Sequence, residues 1–275
     1  MPGEGEPHDL GFDPRVPNIA RVYNYWLGGK DNFAADRQVG DVALQNDPYR
    51  AWSVRANRAF LSRVVRFLAL EAGIRQFLDI GTGIPTANNT HEVAQAAARD
   101  CRIAYVDNDP VVLSHARALL RSTPEGCCIY IHADARDPET ILREATRTLD
   151  FAKPIAIMLI AIMHCVPDAD EPYSVVNRLL DAVPRGSYLA LSHPASDINP
   201  EIRRAVNRKL NEVLASPTTL RNREQVTAFF DGLDLLEPGV VLVSKWRPDT
   251  EIEERTPTSL WGGIARKTLK CLEEQ

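Results

Sequence analysis

Three acids and two glycines carry the most chemical information in this chain of 275 residues. Asp79 lies inside the apolar run Phe77-Leu78-Asp79-Ile80, and Gly81-Thr82-Gly83 follows at once. Glycine has no Cβ and tolerates positive φ, so such a turn lets the backbone approach a ligand closely. Asp107 ends the run Ile103-Ala104-Tyr105-Val106 and falls 24 residues after Gly83. An acid there can accept two hydrogen bonds from the vicinal hydroxyls of a ribose. Asp134 follows a third apolar run, Ile129-Tyr130-Ile131, and is placed to meet an adenine edge. Acids at three successive strand ends point to an adenosine-type ligand. The competing reading is that loop acids cap helices. Pro138 directly after Asp137 fits that reading, so Asp137 is left out of the site.

The glycine turn also bears on which adenosine ligand is meant. A dinucleotide fingerprint needs a third glycine or alanine, for close helix packing beside a pyrophosphate. This chain has Thr86 there, and Pro85 removes a backbone donor from the turn. Asp79 just before the turn disfavours an anion and suits a cation. S-adenosylmethionine (SAM) carries an ammonium and a sulfonium and no phosphate, so it is expected over NAD. Leu27-Gly28-Gly29-Lys30-Asp31 is not a phosphate loop, because it lacks the spaced first glycine and the Ser/Thr that would hold magnesium.

Taken together, these residues resemble the class I SAM-dependent methyltransferases. Within them the chain is similar to a family, common in actinobacteria, first catalogued as a domain of unknown function. The resemblance runs through Ala20-Arg21-Val22-Tyr23-Asn24-Tyr25-Trp26-Leu27-Gly28-Gly29-Lys30-Asp31-Asn32, Asn57-Arg58-Ala59-Phe60 and Gln76 to Thr86. It continues through Tyr105 to Pro110, Met163-His164-Cys165-Val166-Pro167-Asp168, Leu235 to Val240 and Gly262 to Lys267. It implies SAM bound on a seven-stranded, Rossmann-like, mostly parallel sheet. It names no methyl acceptor.

The expected cofactor-binding set is Tyr23, Gly29, Lys30, Arg58, Asp79, Gly81, Gly83, Asp107, Asn108, Asp134, Ala135 and Ile160, with no metal. Tyr23 and its aromatic neighbours read as a lid, because an aromatic face attracts a sulfonium; packing onto the core is the plainer alternative. Arg58 is placed to pair with the methionine carboxylate of SAM, or else belongs to a surface ion pair. Methyl transfer is an in-line displacement in which positioning supplies most of the rate. A base is needed only for a poor nucleophile. His164, after the fourth strand, is the first candidate for that role and His193 the second.

The elements that must position these groups follow from the pattern. Strands are expected at 76–80, 102–107, 127–132, 154–160 and 186–193, alternating with helices at 87–99, 110–121, 138–149 and 171–183. Such alternation builds a parallel sheet with helices on both faces. Ile155 to Ile160 is apolar on both faces, as a central parallel strand should be. Leu233–Leu236, Val240–Val243 and Ile264–Arg266 are expected to close the sheet, partly antiparallel. Residues 1–17 read as a mobile tail, 18–73 as an N-terminal helical lid, and 74–275 as the SAM-binding domain. Within that domain, about 199–214 is expected as a polar helical insertion.

Composition narrows the function. The net charge of −5 gives no basic field for nucleic acid, so a small-molecule acceptor is expected. The N-terminus has no signal-peptide pattern, and the longest apolar run, Ile155 to Met163, is far too short to span a membrane. The five cysteines show no metal spacing, so the chain reads as cytoplasmic with reduced thiols. The rival to an enzyme is a regulatory protein that binds SAM without turnover.

Overall fold

A computed structural model describes residues 12–119, 121–214 and 216–268. Cys271 and residues 1–11 of the expected tail lie outside them. Three helices come first: α1 (Ile19–Trp26), α2 (Ala34–Asn46) and α3 (Arg50–Leu70). The alternating part follows as β1 (Gln76–Ile80), α4 (Thr90–Ala97), β2 (Arg102–Asp107), α5 (Pro110–Leu119), β3 (Cys127–His132), α6 (Pro138–Ala145), β4 (Ala156–Ile160), α7 (Pro172–Asp181) and β5 (Tyr188–Pro194). The chain closes with α8 (Pro200–Asn211), α9 (Arg223–Thr227), β6 (Asp234–Leu235), β7 (Val241–Leu242), α10 (Glu251–Arg255) and β8 (Leu260–Arg266).

The sheet runs β3-β2-β1-β4-β5-β8-β6, with β7 paired to β8 as well. Strands β1 to β5 are parallel, and β8 runs antiparallel to β5 over its whole length. The sheet thus has the seven positions the sequence implies, filled by eight strands, because short β6 and β7 share one edge of β8. Two apolar clusters cover its faces. One gathers Leu78, Ile80, Val106, Ile157 and Leu159 with α6 and α7; the other gathers Phe77, Ile103, Met158 and Ile264 with α3. Every residue of β4 is buried, as its continuous apolar run requires.

Local chemistry sets the element ends. Asn18 caps α1 by accepting from Ala20 N at 2.7 Å, and Asp137 caps α6 with Pro138 in the first turn. Helix α4 starts at Thr90, three residues later than the pattern predicts, because Asn89 and Glu92 form a capping box there. Ala87 and Asn88 are left in the loop beside the glycine turn.

Two parts of the expected organisation look different in three dimensions. Helix α3 belongs to the sheet, since Phe60, Leu61, Val64, Val65 and Leu68 pack into its core. The region 18–73 is therefore no separate cap. A third apolar cluster instead joins Val22 and Trp26 of α1, Val39 and Ala43 of α2, Val54 of α3, and Val206 and Leu210 of α8. The expected insertion is thereby one wall of a cap formed with α1 and α2. Residues 12–17 also make specific contacts. Val16 O accepts from the buried Arg21 at 2.8 Å, and the Phe12 ring lies 5.6 Å from that of Phe33.

Candidate active site

A continuous cavity lies between the C-terminal ends of the parallel strands and the helical cap. Tyr23, Arg58, Asp79, Gly81, Gly83, Asp107, Asn108, Asp134, Ala135, Ile160 and His164 all line it. Sequence reasoning therefore brings most of its candidates to one place. Gly29, Lys30 and His193 are not on its wall.

At the strand ends the glycine turn is built as its residue types allow. Gly81 and Gly83 have φ of 73° and 66°, the left-handed region open to glycine. Gly81 N and Thr82 N both donate to Val106 O, which ties the turn to β2. Gly83 N donates to Asp107 Oδ2 at 2.8 Å, and Asp109 N donates to Asp107 Oδ1 at 3.0 Å. Asp107 thus holds the turn in shape while keeping lone pairs for a ligand. Asp79 accepts a hydrogen bond from Thr90 Oγ1 at 2.5 Å.

The two carboxyls are almost dry. Asp79 is 4% exposed and Asp107 is 9% exposed. Burial pushes each up to about 6, only partly offset at Asp79 by the Thr90 hydroxyl and nearby Arg58, and at Asp107 by the backbone N–H groups. Asp134 differs. Arg136 grips it through two bonds of 2.8 Å and holds its carboxyl down at about 2, and Asn108 Nδ2 donates to it at 3.0 Å. Arg58 Nη2 donates to the carbonyls of Ala87 and Asn88, and its Nε has no partner among the described residues.

Tyr23 is fixed from behind. Its hydroxyl donates to Val54 O and accepts from Asn57 Nδ2, both at 3.1 Å, and Asn57 Oδ1 accepts from Ser192 Oγ at 2.6 Å. The turn after α1 is equally tied. Asn24 Oδ1 accepts from Asp31 N and Asn32 Nδ2, and a Cβ on Gly29 would collide with the Asn24 side chain. Gly29 therefore serves this turn, not the cavity wall, and Lys30 points outward at the surface.

The far end of the cavity has a different chemistry, supplied by residues the sequence reading did not single out. Arg50 and Ser53 come from α3, and Arg203 and Asn207 from α8. Arg203 Nη1 donates to Asp47 Oδ2 at 2.9 Å, and Arg50 Nε lies 3.4 Å from the same oxygen. Burial pulls Arg50 down to about 9, with Arg203 adding to the effect, so both side chains stay protonated at neutral pH. The signal in α8 was present: Arg203, Val206, Asn207 and Leu210 recur at helical spacing, one buried face that mixes polar and apolar groups.

The two histidines separate in role. His164 lies on the wall, 8% exposed, with Nδ1 lacking a partner among the described residues. Burial and the three arginines Arg221, Arg50 and Arg203 hold its imidazole down at about 3, so it is neutral. His193 is corrected. It is fully buried behind His164, its Nδ1 faces Pro194 O at 3.0 Å, and its Nε2 takes a hydrogen bond from Arg221 Nη1 at 2.9 Å. With one nitrogen donating and the other accepting, it has no lone pair left for a substrate. Arg221 also donates to Met163 O and Val166 O, which shapes the turn that carries His164.

Comparison with known proteins agrees with this geometry. A model of the S-adenosyl methyltransferase family matches residues 6–268. A DUF574 family protein of Streptomyces avermitilis MA-4680 is 44% identical, with a TM-score of 0.90 over 93% of this chain and 99% of that one. A protein of Thermobifida fusca YX is 41% identical, with a TM-score of 0.87 over 97% and 100%. A SAM-dependent methyltransferase of Anabaena variabilis ATCC 29413 shares the fold at 12% identity, with a TM-score of 0.52 over 91% and 96%. No curated protein matches. The chain belongs to the S-adenosyl methyltransferase family, and its methyl donor is SAM. Its own residues fit that donor. The dry carboxyls of Asp79 and Asp107 have no ion-pair partner among the described residues, the glycine turn is open to close approach, and one Arg58 nitrogen is unpaired. No helix among the described residues is long and apolar enough to cross a membrane.

Proposed function

We propose that this methyltransferase acts on a small molecule, through an oxygen or nitrogen of the acceptor, in the cytoplasm. The observation that carries the reading is the single cavity whose wall includes both the glycine turn and His164. One end carries the strand-end acids and suits a cation; the other is walled by α1, α3 and α8. When bound, SAM supplies an electrophilic methyl group on a positively charged sulfur.

The residues divide the remaining work. Asp107 and Asp134 would hold the ribose and adenine edges, Asp79 the cationic amino acid end, and Arg58 its carboxylate. Tyr23 would present a ring face to the sulfonium. The buried walls exclude water, which would otherwise compete as acceptor. His164 would orient the acceptor through Nδ1. Its proton affinity is too low in the ligand-free protein for strong base catalysis. The acceptor should therefore arrive already nucleophilic, and positioning should supply most of the rate.

The test is methyl transfer from radiolabelled SAM into a fractionated cell extract. Label in the low-molecular-weight fraction is expected. Label confined to protein or nucleic acid, or SAM binding with no transfer at all, would overturn the reading, the latter in favour of a SAM-binding regulator.

A further inference from the structure

Arg50 and Arg203 sit on the wall of the cavity at the end away from the glycine turn. Both are withdrawn from water, with side chains 11% and 2% exposed. They share one carboxylate, Asp47. The Arg50 guanidinium lies over the Trp26 ring at 5.1 Å and meets Asp47 only through Nε at 3.4 Å, without a well-formed hydrogen bond among the described residues, and Arg203 Nε is a buried donor without an acceptor. His164, on the same wall, is neutral and keeps an unpartnered Nδ1. A buried cation and buried donors left without acceptors are both costly.

Resting on the methyltransferase reading above, we propose that Arg50 and Arg203 form an anion site for the acceptor, and that the acceptor is a small molecule bearing a carboxylate. The charge balance selects the anion. Two guanidiniums against Asp47 leave a single positive charge, which a monoanionic carboxylate neutralises and a dianionic phosphate monoester overshoots. A carboxylate also matches the fork of N–H donors that a guanidinium offers. The cavity is then charge-sorted: acids at the strand ends for the cationic donor, arginines beneath α1 and α8 for the anionic acceptor.

The experiment uses the full chain loaded with S-adenosylhomocysteine. Binding is followed by calorimetry and ligand-observed NMR. The probes are small monocarboxylates from acetate to phenylacetate and 4-hydroxybenzoate, each beside its primary amide and the corresponding phosphate ester, at matched ionic strength. At least one carboxylate should bind ten or more times tighter than its amide and its phosphate ester. Arg50→Gln should abolish that preference, and Arg50→Lys should keep part of it. Asp47→Asn should move the preference toward phosphate esters, because it leaves a second positive charge. Equal binding of acids and amides across the set, or a preference that survives Arg50→Gln in a variant that still binds S-adenosylhomocysteine, would overturn the proposal. Failure to bind S-adenosylhomocysteine at all would instead strike the cofactor assignment on which it rests.

Discussion

Ser192, in the middle of β5, donates to Asn57 Oδ1 at 2.6 Å across 135 positions of sequence. The same Asn57 donates to the Tyr23 hydroxyl, so the central sheet sets the place of an aromatic ring on the cavity wall. Ser192 is fully buried and Asn57 is 1% exposed. Asn57→Ala should leave two hydroxyls short of a partner and cost about 1–3 kcal/mol, read as a lower Tm. It should also speed hydrogen exchange across 18–33 in the presence of SAM. Tyr23→Ala, by contrast, should weaken SAM more than S-adenosylhomocysteine, since only the sulfonium gains from a ring face. Equal losses for both ligands would make Tyr23 a packing residue.

Asp107→Ala removes a carboxylate that already orders Gly83 and Asp109. Hydrogen bonds from ribose hydroxyls to a carboxylate contribute about 1.5–3 kcal/mol each, net of the bonds to water they replace. SAM affinity by calorimetry should therefore fall at least about tenfold. Affinity unchanged from the parent protein would reduce Asp107 to a brace for the turn.

SAM binding should be pH-dependent in a stated direction. Burial lifts Asp79 and Asp107 from the usual carboxylate range to about 6 in the ligand-free protein. The unfolded chain loses these protons near 3.8 and the folded one only near 6, so their contribution to stability falls as pH rises through that window. A cationic ligand prefers the ionised acids. SAM affinity should accordingly rise from pH 5 to pH 7, roughly tenfold for each acid that must be ionised and roughly a hundredfold for both, with protons released on binding at pH 6. Calorimetry in two buffers of different ionisation enthalpy measures both quantities.

His164 has the opposite sign. Its imidazole is held down at about 3, while an unfolded chain takes up the proton near 6.5. Its contribution is present above 6.5 and is lost as pH falls toward 3. His164→Asn should therefore lose less Tm between pH 7 and pH 4.5 than the parent protein. A parallel pair of curves would show that the histidine is protonated normally in the fold.

The strand–turn–helix core was legible because each of its signals is local. Asp79, the two glycines, Asp107 and Asp134 sit next to the strands that carry them, and apolar runs announce those strands. The arginine end was not legible for the opposite reason. Asp47 and Arg203 are 156 positions apart, and only the closure of α8 onto α1 and α2 brings them together. Polar residues on α8 look solvated in sequence until the neighbours of Val206 and Leu210 are known. His193 shows the same limit from the other side: its neighbour Arg221 lies on a distant loop and takes up its lone pair.

Gly81 has one more consequence. A Cβ at that position would strike the Ile162 side chain, so the turn after β1 and the turn after β4 are in direct mesh. Ile162 is followed at once by Met163 and His164, and Ala161 before it is held at a φ of 54° with its N–H on Ser192 O at 3.0 Å. A strained residue anchored on one side and a glycine gap on the other leave Ile162 little slack. The glycine turn and the segment that presents His164 are therefore packed as one unit. Gly81→Ala should accordingly disturb both turns at once, lowering SAM affinity and shifting the His164 ring signals together.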